Sequence, residues 1–217
     1  MAKLLYLEAS PRGENSYSSR AAKVFLETYR EENPDDVIDH HHLFEDEVPV
    51  FDREAADQKM EHIQNLIKHG RGIEPVGKWA SVVEEIDRLK SADKILISSP
   101  MWNFSIPYVL KQWVDVIVQP ALTFGVNREG KYVGLLRDKC MQLILASGSA
   151  YADRFPLAED APKTDFQTCY LEHIANYIGI TDVRTIHVGP TEALPPDQVA
   201  ENFESKLDEA RKAAREF

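Results

Sequence analysis

The chain contains 217 residues, of which 43% are hydrophobic and 28% are charged, the profile of an ordinary globular protein. This length predicts a single domain, residues 1–217, with a core that needs no disulfide or metal. The net charge of −11 argues against a surface that binds nucleic acid or anionic lipid. Two cysteines, and an N-terminal apolar stretch too short for a signal peptide or membrane span, indicate a cytoplasmic protein without a membrane partner.

Short apolar runs alternate with longer amphipathic stretches along the chain. The apolar runs predict buried strands at residues 4–7, 37–44, 95–99, 141–146 and 182–188. The amphipathic stretches predict helices at residues 18–32, at residues 107–119, from about residue 164, and around residues 199–214. Continuous apolar strands separated by helices are typical of a parallel sheet covered on both faces, which is a doubly wound α/β fold. Ligands bind such folds at the carboxyl ends of the strands, so the loops after predicted strands one, three and four are the candidate sites.

The segment between the second and third predicted strands is longer than this fold requires. It carries two amphipathic helix patterns, one around Met60 and Ile67 and one around Val76 and Val83. We interpret residues 50–92 as an inserted helical hairpin that forms an interface or covers a site, rather than as a second domain.

Hydroxyl side chains are frequent in the loop that follows the first predicted strand. Ser10, Ser16, Ser18 and Ser19 lie between that strand and the next helix, beside the backbone N–H groups of a helix start. This set of donors suits a phosphate. A serine that caps a helix within a polar loop would leave the same pattern. Neither a nucleoside triphosphate loop nor a dinucleotide fingerprint is present.

Large aromatic residues and an amide follow the third predicted strand. Met101, Trp102, Asn103 and Phe104 lie just beyond its carboxyl end, where they suit a planar heteroaromatic ring. The backbone N–H groups near Asn103 and Phe104 are predicted to belong to a helix start, with Pro107 in the first turn, and to stabilise negative charge on a reduced ring. The alternative is that Trp102 and Phe104 are core residues.

Small residues follow the fourth predicted strand. Ser147, Gly148, Ser149 and Ala150 allow the backbone to approach a flat ligand closely. A nucleophilic serine is disfavoured because the G-x-S-x-G pattern is absent.

Three adjacent histidines, His40, His41 and His42, lie on the second predicted strand. Neighbouring residues of a strand point to opposite faces, so the three side chains cannot converge on one metal ion. We interpret them as polar side chains of an edge strand and assign no metal site.

The three loops together resemble those of the FMN-dependent NADH-azoreductases, also described as NADH:quinone oxidoreductases, of the flavodoxin-like superfamily. The resemblance rests on the serine loop, on the Met-Trp-Asn-Phe tetrad at residues 101–104, and on the Gly-Ile-Thr-Asp-Val turn at residues 179–183. It implies a flavodoxin-like α/β fold, in which a five-stranded parallel sheet has the order 2-1-3-4-5 and helices cover both faces.

In that family the first loop holds the FMN phosphate, the tetrad runs along the isoalloxazine ring, and the loop after strand four closes over the ring edge. Carried over residue by residue, the resemblance implies cofactor contacts from Ser10, Ser16, Tyr17, Ser18, Met101, Trp102, Asn103, Phe104, Ser147, Gly148, Ser149 and Ala150. Two departures stand out: Trp102 replaces the common tyrosine, and residues 147–150 replace the usual Ser-x-Gly-Gly.

The resemblance further implies non-covalent FMN, NADH as electron donor, and a homodimer in which both subunits line each site. The reaction would be ping-pong, with two electrons passed to a small quinone or, in two rounds, to an azo compound. Because the cofactor carries this chemistry, no protein acid, base or nucleophile is assigned. Two alternatives are a flavodoxin-type FMN electron carrier, which the net charge would suit, and a regulatory protein with an empty site.

Overall fold

The computed structural model describes residues 1–70, 74–149 and 165–217. Its strands, in chain order, are β1 (Lys3–Glu8), β2 (Val37–His42), β3 (Lys94–Pro100), β4 (Phe124–Val126), β5 (Tyr132–Gly134), β6 (Cys140–Ala146) and β7 (Asp182–Val188). Its α-helices are α1 (Tyr17–Glu32), α2 (Arg53–His69), α3 (Gly77–Ser91), α4 (Tyr108–Ile117), α5 (Phe166–Ile178) and α6 (Pro196–Arg215).

The main sheet is parallel, with the order β2-β1-β3-β6-β7. This is the predicted order 2-1-3-4-5, because β6 and β7 are the fourth and fifth predicted strands. The predicted flavodoxin-like α/β fold is therefore confirmed. The central strands are buried on both sides, which explains why their sequences are continuously apolar.

Two apolar layers enclose the sheet. On one face, α1 and α6 pack over alternate strand residues such as Leu4 and Tyr6, and Phe217 joins this layer against Phe25. On the other face, α3, α4 and α5 cover the strand residues that point the opposite way, such as Leu5. Because side chains alternate along a strand, each strand supplies both layers.

The two helices predicted between strands two and three are α2 and α3, which pack against each other. Residues 71–73, between the two helices in the sequence, lie outside the described part of the chain. No helix of the described ranges is both long and apolar enough to cross a lipid bilayer.

A small antiparallel hairpin, formed by β4 and β5, was not predicted from the sequence. Each of its strands has three residues, too few for an alternation pattern to stand out. The hairpin approaches the end of α5 so closely that a Cβ atom at Gly134 would lie 2.1 Å from the backbone nitrogen of Gly179. Leu136 N–H continues this contact by donating to the carbonyl of Ile178 at 2.9 Å.

Candidate functional site

The three predicted site loops leave neighbouring strands at one edge of the sheet. Within the ladder, Glu8 pairs with Ser98 and Pro100 pairs with Ala146. Two hydrogen bonds extend the ladder into the loops: Ala9 N–H donates to the carbonyl of Ser98 at 2.9 Å, and Met101 N–H donates to the carbonyl of Ala146 at 2.7 Å. The fold therefore brings all three loops together at the carboxyl edge, where doubly wound proteins bind ligands.

The serine loop places buried hydroxyl groups around the start of α1. The Ser16 side chain caps the helix by accepting from Ser19 N–H at 3.3 Å, and its oxygen lies 3.1 Å from that of Ser18. Ser10, Ser16 and Ser18 are all buried. The Ser10 hydroxyl accepts from Arg12 N–H at 3.4 Å. The capping interpretation is therefore correct for Ser16, while Ser18 has its hydroxyl at the positive end of the helix dipole.

Tyr17, the first residue of α1, directs its ring away from this loop. The ring meets Phe203 of α6 edge-to-face at 5.0 Å between centroids. Only the backbone N–H of Tyr17 is therefore placed to serve the serine loop. That group lacks an intrahelical acceptor because it belongs to the first turn of a helix.

The tetrad forms a tight turn rather than a helix start, and the sequence prediction was wrong on this point. Trp102 N–H donates to the carbonyl of Ser105 at 2.9 Å, and Ser105 N–H returns the bond at 3.0 Å. The two central residues, Asn103 and Phe104, have φ values of 49° and 69°. This is the geometry of a type I′ turn, which places two non-glycine residues in the left-handed region. Helix α4 begins only at Tyr108, and Pro107 precedes it as the N-cap.

The aromatic rings of the turn lie at the surface. Trp102 is 37% exposed and Phe104 is 45% exposed, so neither is a core residue. Trp102 packs against Phe44 and Tyr108, with ring centroids 5.7 and 6.2 Å away. The backbone of Phe104 is held by α5, because its carbonyl accepts a hydrogen bond from the N–H group of Phe166 at 3.0 Å.

The loop after β6 is described as far as Ser149; Ala150, the last residue predicted to contact the cofactor, lies outside the described ranges. The Ser147 hydroxyl donates to the carbonyl of Ser149 at 2.7 Å. The Gly148 carbonyl accepts from Glu192 N–H at 3.0 Å, and a Cβ atom at Gly148 would lie 3.0 Å from the Glu192 carboxylate. A side chain at position 148 would therefore displace the carboxylate of Glu192, whose side chain is exposed and can move.

Two residues that no sequence pattern indicated support these loops. Glu192 belongs to the segment between β7 and α6, and it meets the β6 loop as just described. Gln167, buried in the first turn of α5, donates to the carbonyls of Ser99 and Pro100 at 3.3 and 2.8 Å. Neither residue lies in a sequence pattern that indicates a binding site. Each is far along the chain from the loop that it contacts.

A polar cluster lies behind the serine loop. Glu8, at the end of β1, accepts a 3.0 Å hydrogen bond from His40 of β2, and the His40 ring stacks on Tyr6 at 4.5 Å. Burial alone raises the pKa of Glu8, but hydrogen bonds from His40 and Ser19 outweigh it and hold the pKa of the carboxyl below its usual value. Glu8 therefore carries its charge next to the first turn of α1.

The three histidines alternate between faces, as predicted. His41 points to the opposite face, is buried, and places Nδ1 3.3 Å from the carboxylate of Glu85. His42 remains on the side of His40. The interpretation as polar edge side chains therefore does not describe His41, which belongs to an internal ionic cluster. Within the described ranges, no group of His, Cys, Asp and Glu is arranged to hold a metal ion.

Comparison with known proteins assigns the family. A family described as "Flavodoxin-like fold" matches residues 2–214. The FMN-dependent NADH:quinone oxidoreductase of Nitratidesulfovibrio vulgaris (strain DP4) is 40% identical over 219 residues, covering 100% of both chains. The FMN-dependent NADH:quinone oxidoreductase 1 of Bradyrhizobium diazoefficiens is 38% identical over 222 residues, again covering 100% of both.

Solved structures agree with this assignment. An azoreductase from Bacillus anthracis str. Sterne superposes with a TM-score of 0.84 at 25% identity, covering 100% of both chains. An FMN-dependent NADH-azoreductase from Bacillus anthracis str. Ames Ancestor, in complex with FMN, superposes with a TM-score of 0.80 at 28% identity, covering 99% of this chain and 98% of the other. The resemblance inferred from the three loops is thus confirmed. The chain belongs to the flavodoxin-like family and, within it, to the FMN-dependent NADH:quinone oxidoreductases.

Proposed function

We propose that this chain is an FMN-dependent oxidoreductase that uses NADH to reduce quinones and, in two rounds, to cleave azo compounds by a ping-pong mechanism. The observation that carries the proposal is the layout of the carboxyl edge. Buried hydroxyls and a helix N-terminus lie at one end, and an exposed aromatic turn lies at the other. This layout fits a ligand with a phosphate and a flat ring, and the names of the relatives specify FMN.

The donor set fits the cofactor. Ser10, Ser16 and Ser18, with the free N–H groups of α1, would hold the phosphate, because a helix N-terminus attracts anions and hydroxyl groups donate hydrogen bonds to them. The N–H group of Tyr17 would take part, while its ring, turned toward α6, would not.

The remaining residues would contact the ring. Residues 101–104 would lie along its face and edge, and residues 147–149 would approach it from the loop after β6. When bound, FMN would supply the redox chemistry, the acceptance of a hydride and its return as an electron pair. The carboxamide of Asn103 would provide a fixed dipole that favours negative charge on the ring.

The assembly forms part of the proposal. We place residues 1–217 in one cytoplasmic FMN-binding domain, with the hairpin at about residues 50–92 as an elaboration. We further place two copies in a homodimer in which both subunits line each site. Exposed apolar side chains support an interface: Ile67 of α2 is 77% exposed and Tyr108, beside the tetrad, is 66% exposed.

Anaerobic stopped-flow reduction tests the proposed function. NADH alone should bleach the bound flavin, and a quinone added afterwards should restore its absorbance. Steady-state double-reciprocal plots should be parallel, because one site would serve donor and acceptor in turn. Intersecting lines together with a ternary complex would contradict the ping-pong mechanism. The second candidate, an electron carrier, is favoured only by the net charge of −11 and predicts no bleaching by NADH.

A further inference from the structure

A cavity of about 440 Å³ lies beside the serine loop. Its walls come from the start of α1, from the segment between β7 and α6, and from the first half of α6. The lining residues include Tyr17, Arg20, Glu192, Val199, Phe203 and Glu204. Its size falls within the range of roughly 300–1,000 Å³ typical of small-molecule sites.

This cavity adjoins the candidate cofactor site on two sides. Tyr17 directly follows Ser16, the cap of the helix that carries the serine loop. Glu192, in the opposite wall, donates its N–H to the carbonyl of Gly148 in the loop after β6. The cavity therefore lies next to the serine loop and next to the loop after β6, two of the three loops of the candidate cofactor site.

Arg20 gives the cavity its cationic group. Its guanidinium carbon lies 4.4 Å from the centroid of the buried Phe203 ring and 5.7 Å from that of Tyr17. Arg20 is the single cation among the lining residues, and none of its contacts within the described ranges is an ion pair. Its N–H groups remain available to donate to a phosphate, and stacking on Phe203 orients the guanidinium plane.

Two carboxylates also line the cavity. Glu192 and Glu204 are both exposed, so they can reach a bound ligand at the rim. Carboxylates accept hydrogen bonds from ribose hydroxyl groups, and they repel a ligand that carries an additional phosphate on the ribose. The apolar parts of Tyr17 and Val199 are suited to contact a purine. Together the lining offers one cationic donor group for a diphosphate, two acceptors for ribose hydroxyl groups, and apolar surface for a purine.

We propose that this cavity binds the adenosine diphosphate half of NADH while the nicotinamide half reaches the cofactor site. The inference rests on the proposed function and adds to it a subsite for the electron donor. Arg20 would donate to the diphosphate, and Glu192 would accept from the ribose, which favours NADH over NADPH.

Arg20→Ala tests this assignment, with Lys23→Ala as the matched control. Lys23 is one turn further along α1, is 64% exposed, and lies outside the cavity. Loss of charge-assisted hydrogen bonds should raise the KM for NADH about tenfold or more in Arg20→Ala. The KM for 1-benzyl-1,4-dihydronicotinamide, a hydride donor with neither phosphate nor adenosine, should not change. ADP-ribose should bind the FMN-loaded parent and Lys23→Ala in calorimetry, but bind Arg20→Ala at least tenfold more weakly.

Three outcomes would overturn the inference: unchanged ADP-ribose binding in Arg20→Ala, an equal rise in KM for both donors, or loss of FMN from Arg20→Ala, which would assign the cavity to the cofactor itself. If NADH does not reduce the flavin of the parent protein, the proposed function is contradicted. The subsite is still tested in that case, because ADP-ribose binding is measured without turnover. If Arg20→Ala does not fold, Glu192→Gln carries the test. It should raise kcat/KM for NADPH relative to NADH several-fold, and an unchanged ratio rejects the subsite.

Discussion

Asn103 and Phe104 hold backbone conformations that most side chains avoid. In the left-handed region the Cβ atom crowds the following carbonyl oxygen, at a cost of about 1–2 kcal/mol per residue. Asparagine tolerates this conformation better than phenylalanine does, because its short amide bonds locally. Two such residues in succession at an exposed turn indicate that the turn is held for a purpose other than stability.

Two substitutions at position 103 distinguish the effect of the side-chain amide from the effect of the backbone conformation. Asn103→Gly and Asn103→Ala both remove the side-chain dipole, but only alanine strains the left-handed position. If the carboxamide stabilises charge on the ring, flavin reduction by NADH should slow about ten- to a hundredfold in both, as measured by single-turnover absorbance with FMN occupancy determined on the same sample. Slow reduction in the alanine variant alone would assign the effect to turn geometry.

Ser18→Ala examines the phosphate assignment. The lost hydroxyl should raise the FMN dissociation constant about tenfold, because a hydrogen bond to a charged group contributes roughly 1.5–3 kcal/mol. Riboflavin, which has no phosphate, is the built-in control, and its affinity should be the same in parent and variant. An equal loss of affinity for FMN and riboflavin in fluorescence titrations would place Ser18 away from the phosphate.

At the scale of elements, an ion pair joins the edge strand β2 to α3. Arg88 donates to both carboxylate oxygens of Asp39, at 3.0 and 2.5 Å, and Lys3 lies 3.0 Å away. The hydrogen bond from Arg88 is the main reason that the pKa of Asp39 falls to about 2. In the unfolded chain this pKa is about 3.9.

This depressed pKa predicts a pH dependence of stability. A group whose pKa is lower in the folded state stabilises the fold above its unfolded pKa, and the contribution is lost as the pH falls toward 2. Asp39→Asn should therefore lower the free energy of unfolding by about 2 kcal/mol at pH 7, and by progressively less between pH 4 and pH 2. Urea titrations measure this difference. Asp57→Asn, at an exposed ion pair with Arg53, should change little at any pH.

The β4–β5 hairpin is held against α5 by the absence of a side chain at Gly134. Gly134→Ala places a Cβ atom 2.1 Å from the backbone nitrogen of Gly179, a contact that requires the backbone to move. We expect a loss of about 3 kcal/mol in thermal unfolding. Gly125→Ala, in the facing strand, is the control, since its Cβ would meet Leu135 at an ordinary 3.7 Å. Equal melting temperatures for the two variants would contradict the close approach.

Sequence patterns predicted the elements that are specified by residues close together in the sequence. The run at residues 95–99 is apolar because β3 is buried on both faces, so its position follows from composition alone. The serine loop was found because helix caps have a characteristic composition. The tetrad was identified because large aromatic residues and an amide follow a buried strand, but its backbone conformation was not predicted, because Pro107 indicated an early helix. Glu192 and Gln167 could not be found, since only the folded sheet brings them to the loops.

At the scale of the whole molecule, the proposed homodimer has a direct test. The chain carries a net charge of −11, which opposes non-specific association, so a dimer would require a specific apolar contact. Light scattering at low micromolar concentration should give twice the mass of the chain. Raising the salt concentration should not dissociate the dimer, because burial of apolar surface is not screened. A monomeric mass with full NADH:quinone activity would show that one subunit suffices for the site.

The turn from Trp102 to Ser105 also limits how this protein can be altered by directed evolution. Positions 103 and 104 accept few residue types without strain, so random libraries there should yield mostly inactive or unstable clones. Trp102 carries no such restriction, because its φ is not positive and its ring is partly exposed. Variation in acceptor preference is therefore expected to accumulate at Trp102 and its neighbours Phe44 and Tyr108, while the two central positions stay nearly fixed.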